Sequence, residues 1–241
     1  MSILSSADLT SSEERRVSEF LSALRSPCDV EKNVKSDLVS DDFESEFRSR
    51  LLANHCFIGS PLFQESFDSA FISASEFSGY KVVRAPDGQR FWDVSINGKK
   101  ISLKSSKAKS LKARTLHISK LTEAAWIQDC RTAPKRQELT IKLFQDYTRD
   151  VNSIIQLRFF QATLLYELVE IPVRLFDQVN SVDRSLFAAD GPSIDIPIGK
   201  SPPDFCLKLD RSDAKITLSK INKELCTVHC TWRLAHSRAE I

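Results

Sequence analysis

The sequence predicts an α/β fold: a mixed central sheet flanked by helices, with N-terminal helices and a strand-rich C-terminal region. Three observations carry that expectation. Apolar residues recur at helical spacing through the first third of the chain. At Gly79 the apolar period changes from about 3.6 residues to about 2. From Phe205 onward, runs rich in β-branched and apolar residues alternate with turn residues.

The elements follow in order. Thr10 or Ser11, with Glu13 or Glu14 three residues on, forms a capping-box signature. Val17, Phe20, Leu21 and Leu24 then form one stripe, and Pro27 closes the helix. Residues 29–40 are polar and read as loop. Asp41 or Asp42 is placed to cap a second helix carrying Phe43, Phe47, Leu51 and Leu52. Gly59 interrupts it. Pro61 fits the first turn of a third helix with the stripe Phe63, Phe67, Ala70, Phe71 and Ala74. Strands are expected at 80–84, 90–96 and 100–104. Pro86-Asp87-Gly88 turns the first pair, and Asn97-Gly98, the strongest two-residue hairpin signal, turns the second. Ser119 is placed to cap a helix over residues 120–130. Pro134 opens a longer helix to residue 151, with Leu139, Leu143, Tyr147 and Val151 on one face. Residues 164–176 have strand character, interrupted by Pro172, and the stretch to 204 is loop-rich. Strands return at 205–209, 216–221 and 225–234. In the last, Cys226, Val228, Cys230 and Trp232 alternate with Thr227, His229, Thr231 and Arg233, the pattern of a half-buried strand with one polar face.

Composition excludes several classes. A chain of 241 residues with 41% hydrophobic residues and 15 Phe is not mainly disordered, and its length buries roughly three quarters of the unfolded surface. A net charge of +2 excludes a polycation that coats nucleic acid by bulk charge. No stretch resembles a signal peptide or reaches the roughly 18 apolar residues of a membrane span, so a cytoplasmic protein with six reduced cysteines is expected. Cys206, Cys226, His229 and Cys230 make up the one soft-metal set, and strand alternation parts His229 from its neighbours, which argues against a shared zinc ion. A single domain over 1–241 is expected, comprising a helical segment (1–58), a core (59–152) and a strand-rich region suited to recognition (153–241).

The informative stretch is FWDVSINGKKISLK, from Phe91 to Lys104. Asp93 sits inside an apolar strand. After the Asn-Gly turn, Ser102 and Lys104 share one face, and the hairpin brings that face beside Asp93. An acid and a base lodged among Phe91, Trp92, Val94, Ile101 and Leu103 need partners. One answer is a buried ion pair; another is a bound metal and a phosphate.

This arrangement resembles the PD-(D/E)XK nuclease superfamily, which includes most type II restriction endonucleases, over about residues 61–130. The resemblance implies a restriction-endonuclease-like fold, with Asp93 as the metal-binding Asp and Lys104 as the motif Lys. Glu65 on the preceding helix matches an auxiliary acid. The sequence departs from the pattern twice. Trp92 replaces the Pro before Asp93, while the literal Pro86-Asp87 pair falls in a turn. Ser102 stands where the second acid belongs, and Glu123, on the helix expected next, is the candidate replacement carboxylate. The implied activity is Mg²⁺-dependent hydrolysis of double-stranded DNA at a specific sequence by a homodimer. The alternatives are a non-catalytic nucleic-acid-binding protein on the same fold and a DNA-repair nuclease.

The charge pattern points the same way. Eight basic residues and no acid lie between Lys99 and Lys120: Lys99, Lys100, Lys104, Lys107, Lys109, Lys112, Arg114 and Lys120. Five acids and no base lie between Asp37 and Glu46. A basic segment next to Lys104 is where a DNA backbone would pass. The basic C-terminal residues Lys215, Lys220, Lys223, Arg233 and Arg238 suit base reading as readily as a plain sheet extension with solvated charges, and Gln89, Arg90, Arg211 and Asn222 are equal candidates for base contacts.

Overall fold

In the computed structural model, which describes residues 9–235, the chain opens with α1 (Ser11–Leu24). The Thr10 hydroxyl accepts from the Glu13 N–H while the Glu13 carboxylate accepts from the Thr10 N–H, as the capping box requires. The stripe packs less than its spacing predicts: Ala23 is buried, whereas Val17, Phe20 and Leu21 stay exposed. Residues 29–40 are not all loop, because Cys28–Lys32 forms β1. Asp29, Glu31 and Lys32 obscured it in the sequence; charges of this kind suit an edge strand. α2 (Asp41–Leu52) is capped by Ser40, one residue earlier than expected. Asp41, Asp42 and Glu44 lie instead in its first turn, where they complement the helix dipole. A π-helical turn, Ala53–Ile58, ends at Gly59 with φ 75°. α3 (Glu65–Phe77) starts after Pro61, which lies in an extended lead.

The hairpin region follows as β2 (Val82–Arg84), β3 (Val94–Ile96) and β4 (Lys99–Ser106). Asn97 and Gly98 both take positive φ, 50° and 86°, as a tight two-residue turn demands. β3 is shorter than the expected strand, since Phe91 and Trp92 leave the ladder and enter the core. The helix expected over 120–130 is absent. That segment is β5 (Thr115–Glu123) followed by the single turn α4 (Trp126–Asp129). Pairing with a later strand outweighs the capping signal at Ser119. α5 (Ala133–Asp150) carries Pro134 in its first turn, as expected. β6 (Ser153–Phe160), β7 (Leu165–Pro172), β8 (Ser193–Ile198), β9 (Phe205–Asp210), β10 (Lys215–Asn222) and β11 (Thr227–Leu234) complete the chain. β6 and β8, like β1, fall where no strand is expected from the sequence. β6 is apolar without alternation because both its faces are buried. β8 is an edge strand that tolerates Pro197. In β11 a register shift between Val228 and Cys230 turns His229 inward, so the expected polar face is broken. His229 then lies 2.8 Å from Ser36 Oγ and 2.9 Å from a Glu170 carboxylate oxygen.

The strands form a seven-stranded sheet in the order β1-β11-β7-β6-β4-β3-β2 and a four-stranded sheet in the order β5-β10-β9-β8. Every pairing is antiparallel except β4 with β6. The expectation of a mixed central sheet flanked by helices holds. One face of the large sheet packs Ile101, Leu103, Ile155 and Leu157 against Phe43, Phe47, Phe67 and Phe71 of α2 and α3. The other face packs Ile154, Val169 and Ile171 against α5 and the second sheet. All six cysteines are free. No helix among the described residues is long and apolar enough to cross a membrane.

Phe47 is fully buried and meets Phe43, Phe67 and Trp232, the last at a ring-centroid distance of 4.9 Å. Phe47→Ala is expected to cost about 3–5 kcal/mol of stability in urea denaturation; a loss under about 1 kcal/mol would contradict this packing.

Candidate active site

Asp93 immediately precedes β3 and still pairs on both sides: its N–H donates to the Ile101 carbonyl and its carbonyl accepts from Ala85 N–H. Its Oδ2 accepts from the Leu103 N–H at 2.6 Å and from the Ser102 hydroxyl at 3.3 Å. The carboxylate thereby takes a donor of β4 from the main chain. Lys104 Nζ lies 3.8 Å from the same oxygen and donates to the Leu103 carbonyl at 3.1 Å. Asp93 and Lys104 thus meet, but they are not sealed in the core: Asp93 is exposed and Lys104 half-buried, because the sheet ends here. Behind them Tyr147 of α5 is fully buried. Burial pushes its phenol well above the ordinary value; the Ser102 hydroxyl opposes that shift and the Asp93 charge adds to it.

A second carboxylate lies near enough to feel the charges of both Asp93 and Lys104. Asp68 lies in the first turn of α3, three residues after Glu65 and on the same helix face. Its carboxyl is pushed up to about 6, first by burial and then by the Asp93 charge, with Lys104 pulling it down and Glu65 adding to the rise. Sequence reading chose Glu65 and passed over Asp68, although the three-residue spacing was there to be read. Glu65 is the exposed first residue of the helix. Glu123 is not on a helix: it ends β5, its carboxylate is 2.6 Å from Lys120 Nζ, and its carbonyl accepts from Arg90. No hydrogen bond or ion pair among the described residues joins it to Asp93.

The basic run is divided by the fold. Lys99 and Lys100 sit at the turn end of β4, about 15 Å from Lys104 at strand rise. Lys99 is paired with Asp37 at 3.2 Å, and Lys100 lies over the Trp92 ring. Lys120 is paired with Glu123. Lys107, Lys109, Lys112 and Arg114 form the exposed loop that leaves β4 beside Lys104, and none of the four is ion-paired among the described residues. Both ends of this loop are held. Lys107 Nζ is 4.5 Å from the Phe63 ring centre. At the other end the fully buried Arg158 donates to the Lys112 and Thr115 carbonyls and pairs with Glu167, which also binds Lys223. Of the residues expected to contact bases, Lys223 is therefore engaged internally, and Lys215 and Arg211 pair with Asp213 and Asp190. Arg238 lies outside the described residues.

Comparison with known proteins is consistent with this geometry. A family model described as SmaI, type II site-specific deoxyribonuclease, matches residues 5–234. The chain is 25% identical over 238 residues, 91% of either chain, to the type II restriction enzyme SmaI of Serratia marcescens. No solved structure matches it.

The raised Asp68 carboxyl has a consequence for stability. Its folded value of about 6 lies above the ordinary 3.8, so the folded state favours the protonated form and loses stability as pH rises from the lower value to the higher, levelling off above it. In the metal-free protein Asp68→Asn is expected to gain on the order of 1 kcal/mol at about pH 8, allowing for solvent screening, and nothing at about pH 3.5. Urea denaturation at both pH values checks this; an equal or lower stability at the higher pH would contradict it.

Proposed function

This chain belongs to the SmaI family of type II site-specific deoxyribonucleases, and on that footing we propose that it cleaves double-stranded DNA at a specific sequence with Mg²⁺ as cofactor. The proposed centre is Asp93, Asp68 and Lys104, with Glu65 beside them and Ser102 as support. The observation that carries the reading is the convergence of Asp93 and Lys104 at 3.8 Å, with a second carboxylate, Asp68, whose proton affinity is raised first by burial and then by the Asp93 charge.

The donor set fits a hard divalent cation. Two neighbouring carboxylates repel each other, and a cation between them removes that cost. No group of three or more His, Cys, Asp or Glu converges among the described residues, and Mg²⁺ needs only one or two protein carboxylates, taking its other oxygens from water and phosphate. Glu123, held by Lys120, does not enter the set. When bound, the cation polarises the scissile phosphate and lowers the pKa of a bound water.

The chain's own residues do the remainder. The Leu103 N–H and the Ser102 hydroxyl hold Oδ2 of Asp93, which leaves Oδ1 for the ligand. Lys104 sets a positive charge where the phosphate gathers negative charge during attack. Lys107, Lys109, Lys112 and Arg114 take flanking phosphates, which makes binding fall with salt at a log–log slope of about −3 to −4. A homodimer reading a two-fold target is the proposed assembly, with base contacts drawn from the 153–241 region.

Plasmid cleavage with Mg²⁺ tests the centre. Asp93→Ala and Lys104→Ala are each expected to lower the cleavage rate at least about 10²-fold while DNA binding persists. Discrete fragments produced at the wild-type rate by both variants would overturn the assignment. Sedimentation with target DNA tests the assembly: protein twice the 27.3 kDa chain mass is expected on the DNA, and a single chain would contradict it.

A further inference from the structure

Four buried side-chain atoms lack a hydrogen-bond partner among the described residues: Thr140 Oγ1, Tyr147 Oη, Gln156 Oε1 and Arg158 Nε. Buried acceptors are nearly always satisfied, so each exception calls for a reason. Gln156 has one in its position. It lies in the middle of β6, is 1% exposed, and pairs in parallel register with Lys104 of β4. Register partners of a parallel pair carry their side chains on one face, about 5 Å apart. The amide Nε2 donates to the His117 carbonyl at 2.8 Å, which orients the carboxamide and identifies the other end as the oxygen.

Lys104 is the matching donor. Its ammonium has three hydrogens, and one goes to the Leu103 carbonyl. Its approach to Asp93, at 3.8 Å, is longer than a hydrogen bond. An unused donor and an unused acceptor therefore stand on neighbouring strands. Once Asp93 engages a cation, the ammonium is repelled from it, since like charges at that spacing oppose each other.

We infer that Gln156 is a positioning residue: its Oε1 accepts a hydrogen bond from Lys104 when Asp93 is engaged, giving the ammonium a second seat from which it still faces the phosphate. This rests on reading Asp93 and Lys104 as the catalytic centre. Without that seat Lys104 stays on Asp93 and competes with the cation.

The test compares Gln156→Met, which keeps length and removes the acceptor, with Gln156→Glu, which keeps the acceptor. Two readouts are taken: the Mg²⁺ concentration giving half the metal-induced shift in thermal midpoint without DNA, and kcat and KM on plasmid DNA. For Gln156→Met the half-point is expected to rise about 10-fold and kcat to fall about 10–100-fold, with KM nearly unchanged. Gln156→Glu gives up the donor to the His117 carbonyl but keeps an acceptor for Lys104, so its Mg²⁺ half-point is expected to rise by no more than about 3-fold over wild type, whatever its kcat. A purely structural Gln would alter the metal-free midpoint and leave the Mg²⁺ response and kcat alone; that result in Gln156→Met overturns the inference. If Gln156→Met does not fold, a folded Gln156→Glu whose Mg²⁺ half-point rises about 10-fold, although an acceptor for Lys104 is kept, overturns it equally. Asp93→Ala separates the two readings. If Asp93→Ala is inactive and Gln156→Met behaves as wild type, only the Gln156 assignment fails; if Asp93→Ala still cleaves, both fail.

Discussion

The parallel pairing of β4 with β6 governs the rest of the structure. Parallel neighbours cannot be joined by a tight turn, so the chain must leave the sheet and come back. What it carries on that excursion is the basic loop, β5, α4 and α5. β5 founds the second sheet, and α5 covers the face that the two sheets share. The same pairing seats Gln156 beside Lys104 and Arg158 beside Ser106. The site lies at the carboxyl end of β4, where an open sheet leaves room for a ligand.

Charge is distributed by the same topology. The acid-rich stretch 37–46 is mostly the first turn of α2, neutralised locally: Asp41 by Lys32, Glu44 by Arg48, Glu46 by Arg50 and Asp37 by Lys99. The basic loop receives no such treatment. Arg158 ties the loop's end through the Lys112 and Thr115 carbonyls, and the four cations stay exposed. Arg158 is itself balanced by Glu167, which shares Lys223. Removing one member of such a buried pair leaves an uncompensated charge, and the loop then loses its anchor. A net charge near zero is thus compatible with one strongly positive surface.

Much of this was legible in sequence where a signal is local. The Thr10–Glu13 capping box, the Asn97-Gly98 turn and the switch of period at Gly79 need no distant partner to act. So Asp93 and Lys104 could be set side by side from a hairpin alone. The misreadings arise where tertiary contacts decide. Residues 115–123 form a strand because β10 is there to pair with them, not because Ser119 fails as a cap. β6 has no alternation to detect, being buried on both faces. Its one uncharged polar residue flanked by apolar ones, Gln156, stands beside Lys104 only through the strand register, which no local pattern encodes. Asp68 is hidden differently: Glu65 on the same helix already matches the auxiliary acid, and only burial beside Asp93 distinguishes the two.

On the proposed reading, metal and phosphate meet at the start of β3 and the carboxyl end of β4, between Asp93 and the first turn of α3. The most direct test is a crystal soaked in Mn²⁺ and measured for anomalous scattering. An anomalous peak at the carboxylates of Asp93 and Asp68 is expected. A peak at Glu123 or in the acid-rich first turn of α2, with none at Asp93, would contradict it.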